Sequence, residues 1–431
     1  MINILIFISL LIIFFQSLLI DLTGINFINS FDEIITVIIF VYSIIHIIKI
    51  GKINKSSIIL LIFAFVFFIV GIISYYCYNN HFDMIALKSG FLSIKFWLVV
   101  FSISTFKIDN KFIERIIKDI LIFEKIVLIF AIINLFIPSF FLKLFPSTIV
   151  SYRFGIMSIS SLFLHPGKFG WFMLFCFIIR LVGLNYYDFE SKGNYLWLVV
   201  DLLFALLSFR TKVILGFVSV IVVYELLYKT KKFVDILKKT SPILISIIVI
   251  GFIFKSVLFN TYELYFTDKY GTSARQALNV NSLKILKDNF PLGVGFGKYA
   301  SWFSVLEYSD VYYKYGLDTV YGLQPSNPWY ATDVFWPSII GETGVIGTSI
   351  YIFLILYTLK NLYKYLKKNK NYKDFINLEL VAFLLLIQTI IESFGEASFN
   401  SSPQNIIVAL FVGVAFADIS RKRKGETIWK K

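Results

Sequence analysis

Long apolar runs alternate along the chain with short polar connections, and the alternation is interrupted once. Taking about 17–25 mostly apolar residues as the length that crosses a bilayer, the runs fall at 2–20, 34–50, 57–78, 91–106, 119–138, 165–184, 195–209, 211–228, 241–259, 336–359, 376–394 and 405–418. They predict an all-α integral membrane protein with about 12 transmembrane helices. The runs at 195–209 and 211–228 meet at Phe209-Arg210-Thr211-Lys212 and predict a tight helical hairpin. The first run has no basic segment before it and no small-residue cleavage site after it, which predicts a retained helix and not a signal peptide. The interruption is 260–335, read as one large extracytoplasmic loop. The chain then divides into helices 1–9 over 1–259, the loop over 260–335, helices 10–12 over 336–418 and a basic tail over 419–431.

Charge orients these spans. Lys and Arg gather in alternate connections, at Lys49 to Lys55, Lys107 to Lys125, Arg180 and Lys192, Lys229 to Lys239, Lys360 to Lys373, and Arg421 to Lys431. The connections at 21–33 and 395–404 hold none. Cytoplasmic loops carry the excess of Lys and Arg, so both termini are expected in the cytoplasm and 260–335 outside.

Composition agrees with this class and removes others. At 58% hydrophobic residues, 19% aromatics and a mean hydropathy of +0.78, the chain is more apolar than a soluble domain of its size requires. The net charge of +14 sits in short clusters beside apolar runs, where it meets anionic headgroups, so membrane lipids and not nucleic acid are the expected partners. Cys77 and Cys176 lie far apart in or beside apolar runs and indicate neither a disulfide framework nor a metal cluster; no metal and no cofactor are expected.

A loop outside the cytoplasm has no nucleotide triphosphate to draw on, so a reaction there must use a bond already present in its substrate, and a lipid-linked donor fits. Gly293-Val294-Gly295-Phe296-Gly297-Lys298 is one residue short of a P-loop and is followed by Tyr299 in place of Ser or Thr, so it is not read as a nucleotide site. Its glycines are expected to make tight turns where the loop returns to the membrane surface. Gly341, Gly344 and Gly347 are expected to form a close helix-packing seam. Ala274 to Lys287 places Ala277, Leu278 and Ile285 on one face and predicts a short surface helix. The loop aromatics, Trp302, Tyr313, Tyr321 and Trp329 among them, suit either interfacial anchoring or sugar faces.

Four stretches between about 150 and 350 carry a resemblance. They are Arg153-Phe154-Gly155 leading to His165-Pro166-Gly167-Lys168-Phe169-Gly170; Leu207-Ser208-Phe209-Arg210; Ser273-Ala274-Arg275 leading to Pro291-Leu292-Gly293-Val294-Gly295-Phe296-Gly297; and Glu342-x-Gly344-x-x-Gly347. In order and spacing they resemble the O-antigen polymerase and O-antigen ligase family of bacterial cell-surface polysaccharide assembly. The resemblance implies metal-independent glycosyl transfer, on the outer face of the cytoplasmic membrane, from a polyprenyl-pyrophosphate-linked oligosaccharide to an acceptor hydroxyl. It also implies a chain-length regulator and a flippase as partners.

Under that reading Arg153, Arg210 and Arg275, with His165, are expected to bind pyrophosphate or glycan, because guanidinium groups pair with a multiply charged leaving group. Asp333 and Glu342 are the expected catalytic carboxylates, one of them a base for the acceptor hydroxyl. Plain alternatives stand beside each role. Arg210 could snorkel to headgroups, Arg153 and Arg275 could be solvated, His165 could cap a helix, Asp333 could cap the tenth span, and Glu342 could simply pair with Arg210 or Arg275. In the family's ligases a His lies eleven residues before the first glycine of the Glu-x-Gly-x-x-Gly ending; that position is Asp333 here. The expected activity is therefore polymerisation of capsule, exopolysaccharide or O-antigen repeats, with a ligase as the alternative and a lipid-linked-oligosaccharide flippase or a structural membrane subunit behind it.

Overall fold

The computed structural model describes residues 9–50, 53–108, 110–153, 155–184, 192–229, 273–368 and 376–422. The apolar run at 241–259, the first part of the loop at 260–272 and most of the basic connection at 229–239 lie outside the described residues. In chain order the helices are α1 (Gln16–Thr23), α2 (Phe31–Ile50), α3 (Lys55–Asn79), α4 (Met84–Ser104), α5 (Asn110–Phe136) and α6 (Pro138–Leu144). A short hairpin follows, β1 (Tyr152–Arg153) against β2 (Ile156–Met157). Then come α7 (Pro166–Gly183), α8 (Lys192–Leu206), α9 (Thr211–Tyr224), α10 (Ala274–Asp288), α11 (Trp302–Leu306), α12 (Asp310–Lys314), α13 (Trp336–Lys368), α14 (Leu378–Glu392) and α15 (Gln404–Lys422).

The boundaries follow from local chemistry. Asn54, Asp83, Ser273 and Asn377 each place a side-chain oxygen on the first free N–H groups of α3, α4, α10 and α14, the ordinary solution for orphan donors at a helix start. α3 stops at Asn80, which takes the left-handed conformation at φ 57°. Among the described residues, five helices are long and apolar enough to cross a membrane, at Asn26–Ile50, Lys55–Asn79, Met84–Ser104, Pro166–Gly183 and Trp336–Leu366. The protein is thus an all-α, multi-pass membrane protein by the length and composition of these helices.

Lipid is as apolar as a leucine side chain, so helices in it are held by close packing and polar contacts more than by the hydrophobic effect. The bundle shows both. α4 is flanked by α2, α3 and α15, and α14 bridges α15, α13, α9 and α7. Ser104 donates to Ser57 across 2.7 Å, and a Cβ on Gly413 would come within 2.7 Å of the Ile103 side chain. Two ion networks are buried. Lys95 reaches Asp32 at 2.5 Å and Glu33 at 2.9 Å, and Gln16 donates to the other Asp32 oxygen. Arg180 contacts Glu124, bonds Asp201 at 3.1 Å and lies over the Trp197 ring. Arg180 therefore does not act as a loop cation, as its place in the charge pattern suggested. It is 3% exposed inside α7, where an unpaired charge is prohibitive and a paired one ties three helices together.

The glycine-rich segments interlock, and this interlock places the site. Gly344 has φ 63° and ψ −160° and breaks α13, freeing backbone groups that lipid cannot satisfy. The segment 291–295 satisfies them: Val345 N–H donates to the Pro291 carbonyl, and Val294 and Gly295 N–H donate to the carbonyls of Gly341 and Glu342, at 2.8 to 3.0 Å. A side chain on Gly293 would strike the Glu342 backbone. Glu342, 1% exposed, then accepts N–H bonds from Gly297 at 2.8 Å and Tyr299 at 3.1 Å and the Ser301 hydroxyl at 2.7 Å. Two sequence expectations change here. Gly341 and Gly344 pack on this returning loop and not on another helix, a Cβ on Gly347 would meet Thr343 of its own helix, and the partners of Glu342 are loop N–H groups and the Ser301 hydroxyl and not an arginine. The segment also reaches in between α3 and α4. Phe296 inserts against Phe67 and Phe68 beside Gly71 and Gly90. Gly71 lies eight residues from the end of α3, about 12 Å down at ~1.5 Å per residue.

Candidate functional site

His165 opens α7. Pro166 supplies the preset φ of a first helical residue, and His165 Nδ1 accepts the N–H groups of Gly167 at 2.9 Å and Lys168 at 3.4 Å. An imidazole whose Nδ1 accepts carries its proton on Nε2, so His165 can only donate through its outer nitrogen. Gly170 lets the α8–α9 turn approach, since a Cβ there would come within 2.8 Å of Val213. In that turn Phe209 adopts φ 51°, Ile159 N–H bonds the Leu207 carbonyl, and Arg210 donates to the Ser151 hydroxyl at 3.1 Å. Arg210 is thus the N-cap of α9 and Lys212 lies in its first turn, where the helix dipole disfavours cations. Compensating anions are required nearby.

They come from two other segments. Lys212 contacts Glu396, in the turn after α14, and Glu392, the buried last residue of α14, also lies within its electrostatic reach. Trp336 Nε1–H donates to Ser393 at 2.9 Å, pinning that turn to the start of α13. From above, Arg275 in the first turn of α10 pairs with Asp333 at 2.9 Å, both about one-third exposed, and both act on Lys212. Lys212, Arg210 and Lys168 act in turn on His165, and Lys168 donates to Ser17 at 3.2 Å. These residues share one end of the bundle, formed by the starts of α7, α9 and α13 and the end of α14, with α10 packed against α13.

Of the residues singled out in the sequence, the fold brings His165, Arg210, Arg275 and Asp333 together. Arg153 is exposed on β1, two residues beyond Ser151, and is not among the cluster's ion pairs. Glu342 is held away by the loop backbone. Asp333 does not cap α13, whose first residue is Trp336 and whose preceding carbonyl, Phe335, receives the first helical N–H. Lys168, Lys212, Glu392 and Glu396 were missed. Lys168 and Lys212 lie inside the segments that drew attention to His165 and Arg210, and the two glutamates close an apolar span, where carboxylates are costly without partners.

Beyond the cluster the loop makes its own small core of Leu278, Ile285, Val294, Tyr299, Val311 and Tyr312. Tyr312 takes the Ala300 N–H and bonds Ser304. Burial pushes its phenol up to about 12, so it serves as a neutral strut. Trp302, Tyr313, Tyr321 and Trp329 remain exposed. Chemically, the arrangement offers two guanidinium and two ammonium groups with a neutral imidazole donor, converging where a multiply charged anion could sit. Compared with protein-family models and with curated proteins, the chain finds no match.

Proposed function

We propose that the protein is a membrane glycosyltransferase that polymerises polyprenyl-pyrophosphate-linked oligosaccharide repeats on the outer face of the cytoplasmic membrane. One observation carries the reading: Arg210 and Arg275, from segments far apart in sequence, both lie within electrostatic reach of Lys212 at one end of the bundle, and Arg275 pairs there with Asp333. Breaking the bond between a sugar and pyrophosphate creates a multiply charged leaving group. Fixed cations in a partly dehydrated site stabilise that charge most where it develops. His165 adds a donor, and Asp333 is the carboxylate placed to take the acceptor's proton. Arg275 and Asp333, about one-third exposed, are the accessible side of the cluster, where an acceptor glycan would approach, and the exposed loop aromatics offer flat faces to its sugars.

The test is Arg275→Lys. It keeps the charge and loses the planar, two-donor grip, so polymer formation from lipid-linked repeats should fall by an amount corresponding to about 2–4 kcal/mol of transition-state stabilisation. Polymer yield equal to wild type at equal membrane abundance would remove Arg275 from the reaction. The sidedness has its own check. With the basic connections inside, an alkaline-phosphatase fusion at Asp310 should be active and one at Lys368 inactive; the reverse would overturn the outward placement of the site.

A further inference from the structure

We propose that Glu396 is a resting-state counter-ion for Lys212, and that Lys212 is a masked ligand which a lipid-linked diphosphate unmasks by displacing that carboxylate. This rests on the reading of the cluster as a diphosphate-handling centre and adds to it a substrate-operated exchange of partners.

The geometry supplies the reason for the pair. Arg210 and Lys212 crowd the N-terminus of α9, Arg275 lies within electrostatic reach from α10, and like charges in a half-buried pocket repel. An empty site needs internal anions. Glu396 meets Lys212 directly, their side chains 21% and 15% exposed. Glu392 lies one turn deeper, accepts from Gln388 at 3.3 Å and keeps its second oxygen without a hydrogen-bond partner among the described residues. Of its acidic neighbours Glu392, Glu396 and Asp333, Lys212 thus contacts the one carried by the turn after α14, not the one fixed in that helix.

Both partners are of the kind that can exchange. An ammonium on a four-carbon stem is a point charge with rotatable donors, whereas a guanidinium fork holds one geometry. The place of the Lys212 stem depends on a glycine. Gly167 faces its stem, and a Cβ there would come within 3.1 Å of Lys212 Cε. A single carboxylate can hold Lys212, but a diphosphate has oxygens enough to engage Lys212 and an arginine together, with more negative charge. It therefore wins the ammonium when it arrives, and a ligand with less charge does not. No bond is made or broken in this exchange; the ammonium changes partner, and Glu396 turns to water or to the acceptor.

The experiment measures binding of a sugar-free polyprenyl diphosphate, and of the corresponding monophosphate, to the full-length protein in lipid nanodiscs. Wild type is compared with Glu396→Gln, Glu396→Asp, Lys212→Gln and Lys212→Gln/Glu396→Gln. Removing an internal competitor should tighten diphosphate binding about fivefold or more in Glu396→Gln, the lower end of ordinary coupling between sites. Lys212→Gln should weaken it, and the double variant should match Lys212→Gln, because residue 396 then has nothing to mask. Glu396→Asp, which keeps the charge but shortens the reach, should also tighten binding and decides the matter if Glu396→Gln does not fold. Unchanged or weaker affinity in the Glu396 variants, with wild type binding normally, overturns the counter-ion proposal alone. Failure of wild type to bind polyprenyl diphosphate removes the glycosyltransferase reading itself.

Discussion

Glu342→Ala should leave little folded protein in the membrane. The carboxylate is 1% exposed and accepts from Gly297 N–H, Tyr299 N–H and the Ser301 hydroxyl, and alanine would remove the acceptor of all three at once. A buried donor left without its partner costs about 1–3 kcal/mol. The two buried N–H groups come to roughly 2–6 kcal/mol, against total stabilities of about 5–15 kcal/mol, while the part-buried Ser301 hydroxyl can turn to water. The loss falls where no substitute is at hand, because the same segment's remaining backbone groups are already committed to the break in α13 at Gly344. Glu342→Gln should be milder, since one amide oxygen can still accept although with less charge. Gel filtration of detergent extracts and thermal unfolding of the three proteins check this order. Alanine-variant protein at wild-type abundance and midpoint would show that the backbone pairing of 291–295 holds the loop unaided.

The helices were the legible part of this fold, because a run such as 57–78 has one physical use at that length and becomes α3 at Lys55–Asn79. The surface helix was legible for the same kind of reason: Ala277, Leu278 and Ile285 recur at helical spacing, and all three are buried in α10. The interlock was not. Pro291 to Gly297 is too short to span and reads as a turn, and its partner lies about fifty residues on, around a backbone angle at Gly344 that only the assembled structure imposes. Charge misled in one direction and concealed in another. Arg180 counted as a loop cation while it was pairing Glu124 and Asp201 inside the bundle. Lys212 read as an ordinary basic residue at a span end, since its partner Glu396 is supplied by another helix pair far along the chain. The arginines of the cluster were visible because a guanidinium suits a multiply charged leaving group. Their counter-ions were visible only in space.

Asp333→Asn should abolish chain growth while leaving the protein inserted, abundant and thermally stable, and the structure says why the two effects separate. Among the described residues its one ion pair is with Arg275, and both side chains are about one-third exposed. Pairs of that exposure contribute about 1 kcal/mol or less, too little to unfold the protein. Helix capping is not at stake, because α13 starts at Trp336 and takes its first carbonyl from Phe335. Asparagine also keeps an oxygen that can accept from Arg275, so the guanidinium stays near its place and what is lost is the capacity to take a proton. If that capacity is used on the acceptor hydroxyl, the rate should fall by about two to four orders of magnitude, and single lipid-linked repeats should accumulate in place of long chains. If Asp333 only steadies Arg275, the loss should be small, and Asp333→Asn combined with Arg275→Lys should be no worse than Arg275→Lys alone. Chain-length distributions on gels, with turnover of purified lipid-linked repeats, distinguish the two. Normal chain lengths in Asp333→Asn would end its role as the base and leave the cationic cluster to act on the leaving group alone.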